Sequence, residues 1–312
     1  MITRPTVLIL GAGASCPFDL PSGKELFDSI CTELKMPELS DIGMLLISCG
    51  YRSHDLTEFA ECLLHSGLSS IDRFLEHQEA GWVELGKHAI AASLLPREKP
   101  DLLFRDTVHN PNWLKTLFRC INGPVDTFEQ NELTVITYNY DRSVEQFLFT
   151  SLKSIYNLDD AHCASAIQKI PVIHLHGLLS PIIGKPGTIV GYGEEISTLR
   201  VQGCARNIRI IHESIEGIAE FDQAHKAIQD AEIIAFLGFG YNKTNLVRLL
   251  SPNIRPGRRP DVFASVCGFG AAEIQAIKSY LDKYFATGRV FVGSPTQDIS
   301  RMLHDYPILP FL

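Results

Sequence analysis

The sequence predicts an α/β fold: a Rossmann-like, mostly parallel sheet with helices on both faces and a helical insertion. Two observations carry this expectation. Short, β-branched apolar runs at residues 6–10, 133–136 and 172–173 each stop at a polar island, the pattern of buried parallel strands. From residue 131 onward such runs alternate with helical patterns, which implies crossover units between parallel strands.

The first unit is strand, glycine turn, loop, helix. Pro17 and Pro21 keep the chain from entering a helix at once. Ser22 and Glu25 form a capping box, and Leu26, Phe27, Ile30 and Leu34 follow at helical spacing, predicting a helix over 24–35. Residues 38–130 hold helical patterns only, around 44–47, 59–64, 71–75, 82–95 and 113–121, with 96–111 as the longest loop. Further strands are expected at 133–137, 171–175, 232–237, 261–266 and 289–292, and helices at 142–155, 213–229, 244–250 and 271–284. The expected organisation is a Rossmann-like domain formed by 1–37 and 131–312, interrupted by a helical insertion at 38–130. A chain of 312 residues can bury one large core or two smaller ones.

Composition narrows the class. With 45% hydrophobic and 21% charged residues the chain reads as an ordinary soluble globular protein. A formal charge of −8 argues against a nucleic-acid surface, and the basic stretch Arg255-Pro256-Gly257-Arg258-Arg259 reads as a solvated loop because Pro and Gly break regular structure. The eight cysteines are scattered, no two closer than 13 residues, so neither a zinc ribbon nor a disulfide framework is expected. No signal-peptide pattern and no membrane-length apolar run are present, and the expected compartment is the cytoplasm.

Four islands at strand ends carry the chemistry. Gly11-Ala12-Gly13-Ala14-Ser15 follows the first strand, where paired glycines let backbone approach a pyrophosphate with N–H groups toward it. A dehydrogenase fingerprint would need a third glycine where Cys16 stands, and Glu33 is not on a second strand, so hydride transfer is disfavoured. Thr137-Tyr138-Asn139-Tyr140-Asp141 follows the second strand; Asp141 either caps the next helix or contacts ligand. His174 and His176 sit two apart, a spacing that on a strand faces one side. No companion ligand at a metal-binding spacing accompanies them. His176, beside Gly177 at the strand's carboxyl end, is the expected functional histidine. Gly238-Phe239-Gly240-Tyr241 repeats the glycine turn after another strand. In an open α/β sheet such strand ends line the ligand crevice.

Together the segments at 11–15, 137–141, 176–177 and 238–241, with Ser70-Ile71-Asp72-Arg73-Phe74-Leu75, resemble the sirtuin-like superfamily in its zinc-free bacterial branch. The resemblance runs in order over most of the chain, from residue 5 to about 295. It implies NAD bound with its nicotinamide end near Asn139 and His176. The four-cysteine zinc module of the deacylase sirtuins is absent. Tyr138 stands where they carry Gln, and no Pro-Asp-Phe-Arg loop follows Ser15. These departures argue against acyl-lysine chemistry.

The branch resembles NAD hydrolases of anti-phage defence, which deplete NAD once infection is sensed. The implied partners are NAD, further copies of the chain in a homo-oligomer, and a separate infection sensor such as a co-encoded ATPase; neither membrane nor direct nucleic-acid binding is implied. The residues expected to act are Asn139 and His176. Gly11, Ala12, Gly13, Ala14, Ser15, Thr137, Asp141, Gly238, Phe239, Gly240 and Tyr241 are expected around the dinucleotide, without metal. ADP-ribosyl transfer or deacylation, and a non-catalytic NAD or ADP-ribose sensor, are the competing expectations.

Overall fold

The computed structural model describes residues 1–108, 110–182, 190–210, 217–250, 257–286 and 288–310. Six strands, β1 (Thr6–Leu10), β2 (Leu133–Thr137), β3 (Val172–His174), β4 (Ile233–Leu237), β5 (Asp261–Ala264) and β6 (Arg289–Val292), form one all-parallel sheet in the order β3-β2-β1-β4-β5-β6. This is the Rossmann-like arrangement. Its strand order reverses at β1, which pairs with both β2 and β4, and that reversal opens a crevice beyond their carboxyl ends.

The strands are apolar throughout because both faces are covered, yet the period of two still sorts their side chains. Leu8 and Leu10 of β1, Leu133 and Val135 of β2, and Ala235 and Leu237 of β4 enter one core with helices Trp113–Ile121, Ser143–Tyr156, Asp160–Ile167 and Ile299–Asp305. Val7, Ile9, Ile136, Ile234 and Phe236 enter the opposite core with helices Ala219–Asp230, Lys243–Leu249 and Ala271–Tyr284. A third core joins Gly23–Lys35, Asp41–Ser48, Ser53–His65, Ile71–Leu75, Ala80–Leu94 and Thr198–Asn207 into a helical layer. Packing therefore crosses the sequence boundaries at 37 and 130. The first helix sides with the insertion, and Trp113–Ile121 lies on the sheet.

Local signals formed as their chemistry dictates. Ser22 Oγ accepts from the Glu25 amide at 3.3 Å, and a Glu25 carboxylate oxygen accepts from the Ser22 amide at 2.8 Å, completing the capping box. Some elements differ from the sequence expectation. Strands 171–175 and 261–266 are shorter, at Val172–His174 and Asp261–Ala264. The 96–111 segment is not all loop, since Pro100 at the first helical position starts Pro100–Leu103. Helices Asp160–Ile167, Thr198–Asn207 and Ile299–Asp305 escaped the pattern reading. They are short, and side-chain caps from Asp159, Ser197 and Asp298 set them more than any apolar stripe. Residues 213–216 of the expected 213–229 helix, and Arg255 and Pro256 of the basic stretch, lie outside the described residues. Among the described residues no helix is long and apolar enough to cross a membrane.

Candidate active site

A cleft of about 880 Å³ opens at the β1/β4 switch point. Of the residues expected from sequence, Gly11, Ala12, Gly13, Asn139, His176, Gly238, Phe239 and Gly240 line it. Ala14, Ser15, Thr137, Asp141 and Tyr241 do not line it.

The two glycine turns interlock. A Cβ on Gly11 would stand 2.6 Å from the Gly238 carbonyl oxygen, and one on Gly13 would stand 2.9 Å from the Gly238 Cα. Gly238 itself has φ +58°, and a Cβ there would meet the Ala14 nitrogen at 2.1 Å. Close backbone approach is thus the first reason for these glycines. The expectation that the turn's amides point at a ligand needs correcting for four of the five. The N–H groups of Gly11, Gly13, Ala14 and Ser15 donate to the carbonyls of Leu237, Gly238, Gly11 and Ala12. The turn folds as a short 3₁₀ segment, Ala12–Ala14, with two of these donors satisfied within it and two by the 237–238 turn.

Asn139 fastens this turn to the end of β2. Its Nδ2 donates to the Gly11 carbonyl and to Ser15 Oγ, both at 3.0 Å. Ser15 Oγ in turn donates to Asp141 Oδ2 at 2.7 Å. Both amide protons of Asn139 are engaged, so Oδ1 is the valence left for a ligand hydroxyl or water. Asp141 Oδ1 accepts from the Ser143 amide at 3.0 Å, so its carboxylate serves the turn and the helix start. The structure therefore places Asp141 among the supports of the cleft and off its surface.

The two histidines have different surroundings because β3 ends at His174 and the chain turns. His174 is buried, its Nδ1 3.0 Å from the Asn139 carbonyl and its Nε2 2.7 Å from Glu145 Oε1. Burial alone would push its imidazolium down; the Glu145 charge and hydrogen bond and the Asn139 carbonyl outweigh burial and hold it above its ordinary value. His176 lines the cleft. Its ring meets Tyr138 edge-to-face at 5.3 Å and lies tilted to Tyr140 at 6.1 Å. Its Nε2 is buried without a hydrogen-bond partner, a condition that costs about 1–3 kcal/mol until something fills it. Gly177 permits this geometry at φ +74°; a Cβ there would collide with the Asn207 carbonyl oxygen at 2.1 Å. The His176 carbonyl accepts from the Arg209 amide at 2.8 Å.

Sequence reasoning assigned no role to three features of this region. The Asp72 carboxylate reaches the cleft from the helical layer and stands 3.7 Å from His176 Nδ1. Arg73, the next residue, lines the cleft with its Nε buried and unpartnered, and makes no ion pair among the described residues. Beneath the site, Arg142 and Glu98 are fully buried as a two-bond pair at 2.8 Å, and the guanidinium also donates to the carbonyls of Ser180, Val190 and Gly191. Only Asp72 and Arg73 carried a sequence signal, through the 70–75 motif. Cys16 also lines the cleft, but burial and the charges of Glu25 and Asp141 push its thiol up to about 11, which makes it a poor nucleophile near neutrality. Among the described residues no group of three or more His, Cys, Asp or Glu is arranged to hold a metal ion. Compared with known protein families and with curated proteins, the sequence has no match.

Proposed function

We propose that this protein cleaves the nicotinamide–ribose bond of NAD, releasing nicotinamide and ADP-ribose. One observation carries the reading: two interlocked glycine turns, the Asn139 amide and the unpartnered Nε2 of His176 converge in one cleft at the switch point. The dinucleotide runs past the turns with its nicotinamide-ribose end toward Asn139 and His176. The C1′–N bond breaks with its electron pair going to the pyridinium nitrogen, so nicotinamide leaves neutral and needs neither strong acid nor metal. A water oxygen bonds to C1′, and its proton passes to His176 Nε2. Asn139 Oδ1 orients that water or a ribose hydroxyl by accepting its hydrogen bond.

The resemblance to the zinc-free sirtuin-like branch extends the proposal to an NAD-depleting effector of anti-phage defence. It would act in the cytoplasm, switched on by homo-oligomer assembly or by a separate sensor such as a co-encoded ATPase. The test is to incubate the purified chain with NAD alone and follow nicotinamide and ADP-ribose. Release without any acceptor supports hydrolysis, and its loss in Asn139→Ala ties it to this cleft. Release only when a protein or peptide acceptor is supplied would replace hydrolysis by transfer, and binding without turnover in every assembly state would favour a sensor.

A further inference from the structure

Asp72 has no part in the scheme above, yet it is the charged group nearest the proposed base. Its Oδ1 faces His176 Nδ1 at 3.7 Å. The Tyr140 hydroxyl donates to that same oxygen, and Ser70 Oγ reaches the other at 3.5 Å, so the carboxylate is pinned from two sides. The imidazole is pinned as well, between the rings of Tyr138 and Tyr140. Its second nitrogen, Nε2, is the one left buried and unpartnered in a residue that lines the cleft.

We propose that Asp72 is a positioning residue that holds the His176 proton on Nδ1 and so presents Nε2 as the basic nitrogen to the cleft. The inference rests on reading His176 as the base. A neutral imidazole carries one proton, and the nitrogen facing a carboxylate keeps it, which leaves the other as acceptor. When Nε2 takes a proton from the attacking water, the carboxylate stabilises the resulting imidazolium without itself being protonated. Asp72 is suited to that task. Burial would push its carboxyl up, but His176, the Tyr140 hydroxyl and the backbone of its own helix outweigh burial and hold it below the usual range. The other charged or titratable groups around the pair are Arg73 and Glu76 on the same segment, Arg248 paired with Glu76, and the phenols of Tyr138 and Tyr140. The two phenols stay neutral because burial raises them further above their ordinary range. Asp72 belongs to the helical layer and His176 to the turn that follows β3 of the sheet, so the proposed base is completed only when the two layers are docked.

The experiment compares the full-length wild type with Asp72→Asn and Asp72→Glu by steady-state NAD cleavage across pH, with thermal melting alongside. In Asp72→Asn, kcat should fall on the order of 10²-fold with KM within about twofold. The acidic limb of the rate profile should move to lower pH, because the imidazolium has lost its carboxylate. Asp72→Glu should recover part of the rate. A second readout, independent of turnover, is imidazole nitrogen NMR with the His176 signal assigned from its absence in His176→Ala. The wild type should show Nδ1 protonated and Nε2 bare, and Asp72→Asn a mixture of tautomers. A wild type that cleaves no NAD in any assembly state but keeps this tautomer pattern overturns the proposed function and leaves Asp72's role standing. An unchanged tautomer in Asp72→Asn, or a rate loss that follows the melting temperature with an unmoved pH profile, overturns the role of Asp72.

Discussion

On one side of the cleft, the 11–15 turn engages four of its five amides, two within itself and two on the 237–238 turn, Asn139 uses both amide protons on the 11–15 turn, and Ser15 and Asp141 satisfy each other. On the other side, His176 Nε2 and Arg73 Nε are buried with no hydrogen-bond partner among the described residues. Both regions line the same space, but one is a closed hydrogen-bond system and the other is open. Buried polar groups are normally satisfied, so an open set inside a cleft marks where a ligand completes the structure. The closed side gives the cleft its shape, and the open side is where the proposed chemistry would fall. Asn139 belongs to both, because its amide protons bind the turn while Oδ1 remains.

That contrast can be broken most severely from beneath. Glu98→Ala leaves the Arg142 guanidinium buried without its carboxylate, an arrangement that costs about 3–5 kcal/mol, a large part of a typical domain's stability. Urea unfolding should show the loss, with catalysis impaired only in proportion to the folded fraction. A near-neutral Glu98→Ala would mean that the support under the closed side is not structural.

His176→Ala should do the reverse. It removes the open nitrogen and the proposed base, so NAD cleavage should drop by about 10²-fold or more. The melting temperature should hold or rise slightly, since an unsatisfied buried group goes with it. Comparable losses of rate and stability would erase the distinction between the two sides.

How much of this the sequence disclosed follows the same division. Strands, the switch-point glycines and the first helix were legible because they rest on local signals: apolar runs, residues without Cβ and a capping box. Asn139 and His176 were legible as strand-end residues. The partnership of Asp72 with His176 was not, because it joins a helix of the insertion to a strand end through tertiary packing. Nor was the Arg142–Glu98 pair, since neither residue's neighbourhood in the chain points to the other. Asp141 reads in sequence either as a cap or as a ligand contact, and the hydrogen bond from Ser15 that decides between them is tertiary. The amides of the glycine turn misled for a related reason: glycines after a strand signal close approach, but not whether the neighbour is a pyrophosphate or another turn of the same protein.

Arg73 sharpens the contrast at smaller scale. A guanidinium that lines the cleft and makes no ion pair among the described residues is suited to an anionic part of the proposed substrate, and the pyrophosphate is the one NAD offers. Arg73→Ala should raise KM for NAD about tenfold, roughly 1.4 kcal/mol, with kcat changed far less. Arg73→Lys should recover part of it, since a point charge replaces the fork. A fall in kcat at constant KM would instead place Arg73 with the reacting groups.

The smallest expected effect concerns His174, the closed counterpart of His176. Its pairing with Glu145 raises the imidazolium above the ordinary value despite burial. A group whose folded-state value is raised binds protons more tightly when folded, so its stabilisation is fully present below the unfolded value of about 6.5. It is lost as pH rises through the higher folded value. Glu145→Gln removes the charge that holds the proton while keeping a hydrogen-bonding side chain. The melting temperature should therefore fall below that of the wild type most clearly near pH 6, by an amount equivalent to about 1 kcal/mol, and the gap should narrow toward alkaline pH. NAD turnover per folded molecule should change little, because His174 contacts Glu145 and the Asn139 carbonyl and does not line the cleft. A gap that widens with rising pH would reverse the sign and show His174 to be buried neutral; a large loss of turnover in folded Glu145→Gln would move His174 into the open set beside His176.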